Sequence, residues 1–170
     1  MKTLIAYFSH EGENIANSEL VVLEKGNTEK LAEKIAALTG GDLYRIIEAV
    51  PYPRDYMSCN QRAKVEYDNY EKPALKDPIG PDMSQYDKVF LGFPVWYRSF
   101  PRIIATFLDK YDLTGKTVYP FCTNDEEFFG LSLWELEGVL HGGNVKEGLV
   151  VRGVNVDTCD EQVKKYIDNH

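Results

Sequence analysis

Residues 88–121, KVFLGFPVWYRSFPRIIATFLDKYDLTGKTVYPF, carry the plainest structural signal in the chain. They open on an unbroken apolar run, 88–93 (KVFLGF), and pass through a loop holding two prolines. They then enter a segment with Ile103, Ile104, Phe107 and Leu108 at helical spacing. Pro101 stands near the start of that segment, where a missing N–H is tolerated. A second short apolar run, 117–121 (TVYPF), follows. Strand, helix, strand at this spacing is the unit of a parallel sheet with right-handed crossovers. Apolar runs without alternation predict strands covered on both faces.

Working outward, the same alternation extends to both ends. Residues 3–8 (TLIAYF) and 148–151 (GLVV) are further apolar runs, and 42–47 (DLYRII) is weaker and partly alternating, as an edge strand would be. Residues 28–38 (TEKLAEKIAAL) place Leu31, Ile35 and Leu38 on one helical face, with Asn27 or Thr28 available as a cap and Gly40 and Gly41 ending the helix. Helices are also predicted over 55–70, polar and rich in Tyr, over 131–140 with His141 at its end, and over 160–169 with Asp157 or Thr158 as its cap. The expectation is one α/β domain over residues 1–170: a three-layer α/β/α sandwich on a five-stranded parallel sheet. Two connections are long for such a fold. Between Ser9 and Asn27 lie 17 residues, so 11–25 is read as an insertion. Its apolar patch 20–23 (LVVL) either packs on the core or meets another copy. The other long connection, 71–84, contains Pro73, Pro78 and Pro81 and reads as an extended surface crossing.

Composition narrows the function. A chain of 170 residues, 44% hydrophobic and 27% charged, buries a sizeable core without staples. Nineteen Lys and Arg against 27 Asp and Glu give a net charge of −8. That excess of acid argues against nucleic acid and anionic membranes and leaves room for a basic partner protein. Three widely spaced cysteines with no CxxC support neither a disulfide framework nor a zinc site, and no metal-ligand cluster is visible. With no signal peptide and no apolar stretch of membrane-spanning length, a cytoplasmic location is expected.

In parallel α/β sheets, ligands bind beyond the carboxyl ends of the strands, where strand order reverses. In the common order 2-1-3-4-5, that crevice lies between the first and third strands. Ser9 and His10 follow the first strand, and Gly26-Asn27-Thr28 opens the first helix. A helix N-terminus with small hydroxyl and amide side chains suits an anion, although Asn27-Thr28 reads equally well as a plain cap. Neither GxxxxGK[ST] nor GxGxxG is present, which disfavours a P-loop and a dinucleotide fingerprint. After the third strand stand Pro94, Val95, Trp96 and Tyr97, a stiffened aromatic loop suited to stacking on a flat ring; the alternative is packing on neighbouring helices. After the fourth come Thr123 and Asn124, able to hydrogen-bond the polar edge of a heterocycle. Cys122 reads as a small buried hydrophobe, and no Cys-x5-Arg follows from it. A phosphate grip, a stacking loop and a polar edge together describe a planar ring on a phosphorylated tail, of which FMN is the obvious member.

The segments 4–9 (LIAYFS), 26–36 (GNTEKLAEKIA), 51–56 (PYPRDY), 87–97 (DKVFLGFPVWY) and 100–123 (FPRIIATFLDKYDLTGKTVYPFCT) resemble the flavodoxin family along essentially the whole chain. The resemblance implies non-covalently bound FMN. It carries phosphate binding onto Ser9, His10, Asn27 and Thr28, ring stacking onto Trp96 and Tyr97, and ring-edge contacts onto Pro94, Val95, Thr123 and Asn124. The chain departs from the pattern at the 11–25 insertion, at Arg98, where many similar sequences have glycine, and at Asp125, Glu126 and Glu127, which replace a Gly- and Ser-rich loop. The implied function is a low-potential electron-transfer carrier with no catalytic residues of its own, docking onto basic patches of redox partner proteins as a monomer or weak homodimer. The second function weighed is an FMN-dependent NAD(P)H reductase of quinones or similar acceptors, with Arg98 and the insertion helping to form its substrate pocket. A response-regulator receiver domain would need acids where Ser9-His10 and Pro94-Val95 stand, and a fold relative that has lost its flavin is the remaining alternative.

Overall fold

The computed structural model describes residues 2–77, 79–140 and 144–170. His141 and Pro78 lie outside them. A mostly parallel sheet is built from β1 (Lys2–Tyr7), β4 (Asp42–Arg45), β5 (Tyr86–Pro94), β6 (Thr117–Asn124), β7 (Asn144–Val145) and β8 (Leu149–Arg152). Its order is β4-β1-β5-β6, with both β7 and β8 paired to β6, and every pairing is parallel. The helices are α1 (Asn27–Thr39), α2 (Tyr56–Asp68), α3 (Arg102–Lys110), α4 (Ser132–Val139) and α5 (Asp160–Asp168). The expected order 2-1-3-4-5 is therefore found, with its last position divided between two strands.

That division has a local cause. β7 pairs with Thr117 and Val118, and β8 pairs with Phe121 to Asn124. The gap falls at Tyr119 and Pro120. A proline has no N–H to give to a ladder, so pairing on that edge stops and restarts around it.

Strand alternation sorts the core into two layers. Leu4, Ala6 and Phe8, with Val89, Leu91 and Phe93, face α3 and α4 through Ile103, Ile104, Phe107 and Leu136. Ile5, Tyr7 and Phe90 face α1 and α5 through Leu31, Ile35, Val163 and Tyr166. Both faces of each central strand are buried, which is why the runs read as continuously apolar. Each fully buried Phe or Leu side chain contributes roughly 1.5–3 kcal/mol of hydrophobic stabilisation.

The 11–25 insertion, expected as loop, is a β-hairpin of β2 (Gly12–Ala16) and β3 (Glu19–Leu23) forming a separate two-stranded sheet. Its strands favour extension through Ile15, Val21 and Val22. Asn17 and Ser18 take positive φ of 50° and 65°, the two-residue turn that matches strand twist. Leu20 and Val22 stay exposed, so the patch does not pack on the core of its own chain. Within the 71–84 crossing, Leu75 makes an antiparallel bridge to Glu48.

Candidate functional site

The tip of β1 delivers Ser9 and His10. Ser9 is buried, and its Oγ accepts the Glu29 backbone N–H at 3.1 Å, capping α1 across 20 residues. Gly26 precedes the helix because nothing larger fits: a Cβ there would stand 2.1 Å from Ser9 Oγ and 2.7 Å from the His10 carbonyl. The expectation that Asn27 or Thr28 caps α1 is thus corrected. Gly26 occupies that position without a side-chain bond, and the cap is Ser9. Likewise neither Asp157 nor Thr158 caps α5; Asp157 instead receives Lys30 Nζ. Thr28 is free to turn inward, where its hydroxyl meets that of Thr123 at 2.8 Å.

The loop after β5 forms a tight turn. The Trp96 N–H donates to the Ser99 carbonyl at 2.8 Å, and the Ser99 N–H returns to Trp96 at 3.0 Å. Tyr97 and Arg98 between them both have positive φ. The Trp96 ring stands edge-on to Phe8, His10 and Tyr52 at centroid distances of 5.4, 5.7 and 5.1 Å. Behind it, Tyr52 donates to the buried Glu66 at 2.5 Å, and Arg62 pairs with the same carboxylate at 2.7 Å. His10 Nε2 donates to the Pro53 carbonyl at 2.9 Å. Tyr97 leans on α2: its hydroxyl donates to the Asn60 carbonyl at 3.0 Å, and its ring stacks on Tyr67. Burial raises the Tyr97 phenol above its ordinary value, so it is neutral near pH 7.

These elements enclose a cleft of about 320 Å³. Nine of the ten expected residues line it: His10, Asn27, Thr28, Pro94, Val95, Trp96, Tyr97, Thr123 and Asn124. Ser9 lies behind the wall as a helix cap. Asn124 is also tied into its own loop, donating to the Phe128 carbonyl and accepting the Asp125 N–H. Arg98, the departure from glycine, is exposed and does not line the cleft.

Two further walls lie outside the ten expected binding residues, although the insertion was weighed as part of a substrate pocket. One is α2, which presents Tyr56, Cys59, Asn60 and Ala63. Cys59 is buried among them, and burial pushes its thiol up to about 12, so it is an inert hydrophobe rather than a nucleophile. The other is the hairpin, which presents Glu13, Asn14 and Ile15. The Asn17-Ser18 dipeptide between two extended segments was the available signal for that hairpin. Both carboxylates of the cleft are already engaged. Glu13 accepts the Tyr56 N–H at 2.7 Å, and Asp125 accepts the N–H groups of Asn17 and Ser18 at 2.6 and 3.1 Å. Among the described residues lining the cleft there is no Lys or Arg.

A cleft between the tips of β1 and β5 at a strand-order reversal defines the ligand-binding α/β class of the flavodoxin-like fold. The chain belongs to the flavodoxin family, whose model matches residues 2–170. It is similar to a provisionally assigned flavoprotein from Bacteroides uniformis, with 32% identity and a TM-score of 0.80, over 98% of this chain and 97% of that one. A provisionally assigned flavoprotein from Bacteroides eggerthii is 34% identical, with a TM-score of 0.79, over 98% and 96% of the two chains. A Lactobacillus acidophilus flavoprotein solved in complex with FMN shares the fold at 24% identity and a TM-score of 0.66, over 92% and 96%. No curated protein matches the chain.

Proposed function

We propose that the chain binds FMN non-covalently in this cleft and works as a low-potential electron-transfer carrier. The observation that carries the reading is the cleft itself: about 320 Å³, with aromatic side chains on one side and a helix N-terminus and hydroxyl groups on the other. Small-molecule sites run from roughly 300 to 1,000 Å³, so this one suits a single flat coenzyme. The donors fit the group. The first N–H groups of α1 lack intrahelical partners, and the Asn27 amide and Thr28 hydroxyl beside them supply neutral donors for a terminal phosphate, next to a His10 ring oriented by its bond to the Pro53 carbonyl. Trp96 and Tyr97 provide ring faces, Pro94 and Val95 an apolar border, and Thr123 and Asn124 polar atoms for a ring edge.

Bound FMN supplies one- and two-electron chemistry, and the protein sets its electronics and access. Here Glu13 and Asp125 line the cleft, no Lys or Arg does, and the chain carries a net charge of −8. Each of these disfavours added negative charge on the ring, which lowers its potential. The carrier reading is also favoured over a reductase by size, because a reductase needs room for a nicotinamide ring beside the flavin, and this cleft lies at the small end of the range. The acidic surface suits brief docking on basic partner proteins in a soluble compartment, with association slowing as salt is added.

The test is reconstitution with FMN followed by redox titration and rapid mixing with NAD(P)H. The expected result is a yellow complex with a potential below that of free FMN and no rapid bleaching by NAD(P)H. A potential at or above that of free FMN removes the low-potential assignment. Rapid direct bleaching replaces the carrier with the reductase.

A further inference from the structure

The β2–β3 hairpin is fastened at both ends to loops far away in sequence. At its root, Gly12 lies so close to the 53–55 segment that a Cβ would stand 2.4 Å from the Arg54 carbonyl. The Glu13 N–H donates to that same carbonyl at 2.8 Å, and the Glu13 carboxylate takes the first N–H of α2. Glu11 pairs with Arg45 at the end of β4. At its tip, the Asp125 carboxylate takes two successive turn N–H groups, those of Asn17 and Ser18. Arg152, at the end of β8, braces both partners. Its Nη2 donates to Asn17 Oδ1 at 2.8 Å and its Nε to the Asp125 carbonyl at 2.9 Å.

The root therefore sits beside β4 and α2, at one edge of the sheet, and the tip sits beyond β6 and β8, towards the other. Between the anchors, Glu13, Asn14 and Ile15 line the same cleft as Asn27 and Thr28. The hairpin is a bar across the end of the cleft where α1 begins. Bonds to a charged group are roughly twice as strong as neutral ones, so the tip is held firmly.

We propose that this bar is the ligand-selecting wall of the site: it closes the cleft beyond the first turn of α1, admitting a flavin that ends in a single phosphate and excluding one extended by a second nucleotide. The inference rests on the flavin reading above. The bar acts in two ways. It occupies the path that a dinucleotide's second half must follow out of a cleft of about 320 Å³. It also places the Glu13 carboxylate on the wall, with no Lys or Arg among the described lining residues to balance a second phosphate.

The experiment titrates the full chain with FMN, FAD and riboflavin by flavin fluorescence, and measures dissociation rates. Three variants accompany it: Asp125→Ala, Arg152→Met, and a replacement of residues 13–22 by two glycines. The unaltered chain is expected to bind FMN at least about a hundredfold more tightly than FAD. Releasing the tip in Asp125→Ala is expected to speed FMN dissociation about tenfold and narrow the FMN-to-FAD gap by a similar factor. Arg152→Met, which lies outside the cleft lining, is expected to move both in the same direction by less. FAD binding as tightly as FMN to the unaltered chain overturns the inference. So does an undiminished preference for FMN in folded Asp125→Ala and Arg152→Met, whether or not the glycine replacement folds. Failure of the unaltered chain to bind any flavin overturns the flavin reading itself, and this inference with it.

Discussion

Arg98 holds a backbone conformation that glycine adopts at no steric cost. Its φ is 64°, next to Tyr97 at 49°, and the turn they form aims Trp96 into the cleft. A left-handed conformation costs an L-residue on the order of 1–2 kcal/mol, partly offset by the entropy that glycine loses on folding. The Arg98 side chain is exposed and repays nothing inside the cleft. Arg98→Gly is therefore expected to stabilise the fold by about 1 kcal/mol, read as a higher denaturant midpoint at unchanged slope. A lower midpoint would show that the arginine makes up the backbone cost elsewhere. The sequence marked this position as a departure from glycine. What it did not disclose was that the side chain would stay outside the cleft lining.

At the level of elements, α1 begins where it does because Ser9, from the preceding strand end, reaches its third N–H. A whole hairpin intervenes between cap and helix. Sequence rules look for the cap next to the helix, which is why Asn27 and Thr28 were the natural candidates. Removing the hydroxyl leaves a buried N–H without its partner. Ser9→Ala is expected to cost about 1 kcal/mol, measured by chemical denaturation. A cost near zero would mean that water replaces the hydroxyl and that Ser9 is no cap. The strand and helix cores were legible because hydrophobic period is a local property. The division of the last strand around Pro120 was not, because it depends on which edge of β6 lacks its N–H.

For the whole molecule, stability should fall on the alkaline side. Burial holds the Cys59 thiol at about 12 against an ordinary 9.0, and Tyr7 at about 12 against 10.0, the latter with help from the Glu29 carboxylate. Above pH 9 the unfolded chain gives up the thiol proton that the folded chain keeps. The unfolded state then binds fewer protons, so the free energy of unfolding declines as pH rises towards 12. By pH 10.5 Cys59 alone accounts for about 2 kcal/mol of that decline. Urea midpoints at pH 8 and pH 10.5 should differ accordingly, and Cys59→Ala should show the shallower fall. An equal fall in both proteins would assign the effect to other groups.

The amino-acid sequence by itself determined the layered α/β architecture and most of the residues that line the cleft, while the strand order followed from the common order of such folds. Apolar runs, helical spacing and the residues at strand ends are all read within a few positions of one another. Only the tertiary structure decided what encloses the cleft. The Tyr56–Ala63 face of α2 and the hairpin are brought to it by folding, and the bond from Asn17 to Asp125 joins residues 108 apart. Such a bond depends on where two distant loops come to rest, and that position is fixed by the packing of the whole sheet rather than by any local pattern.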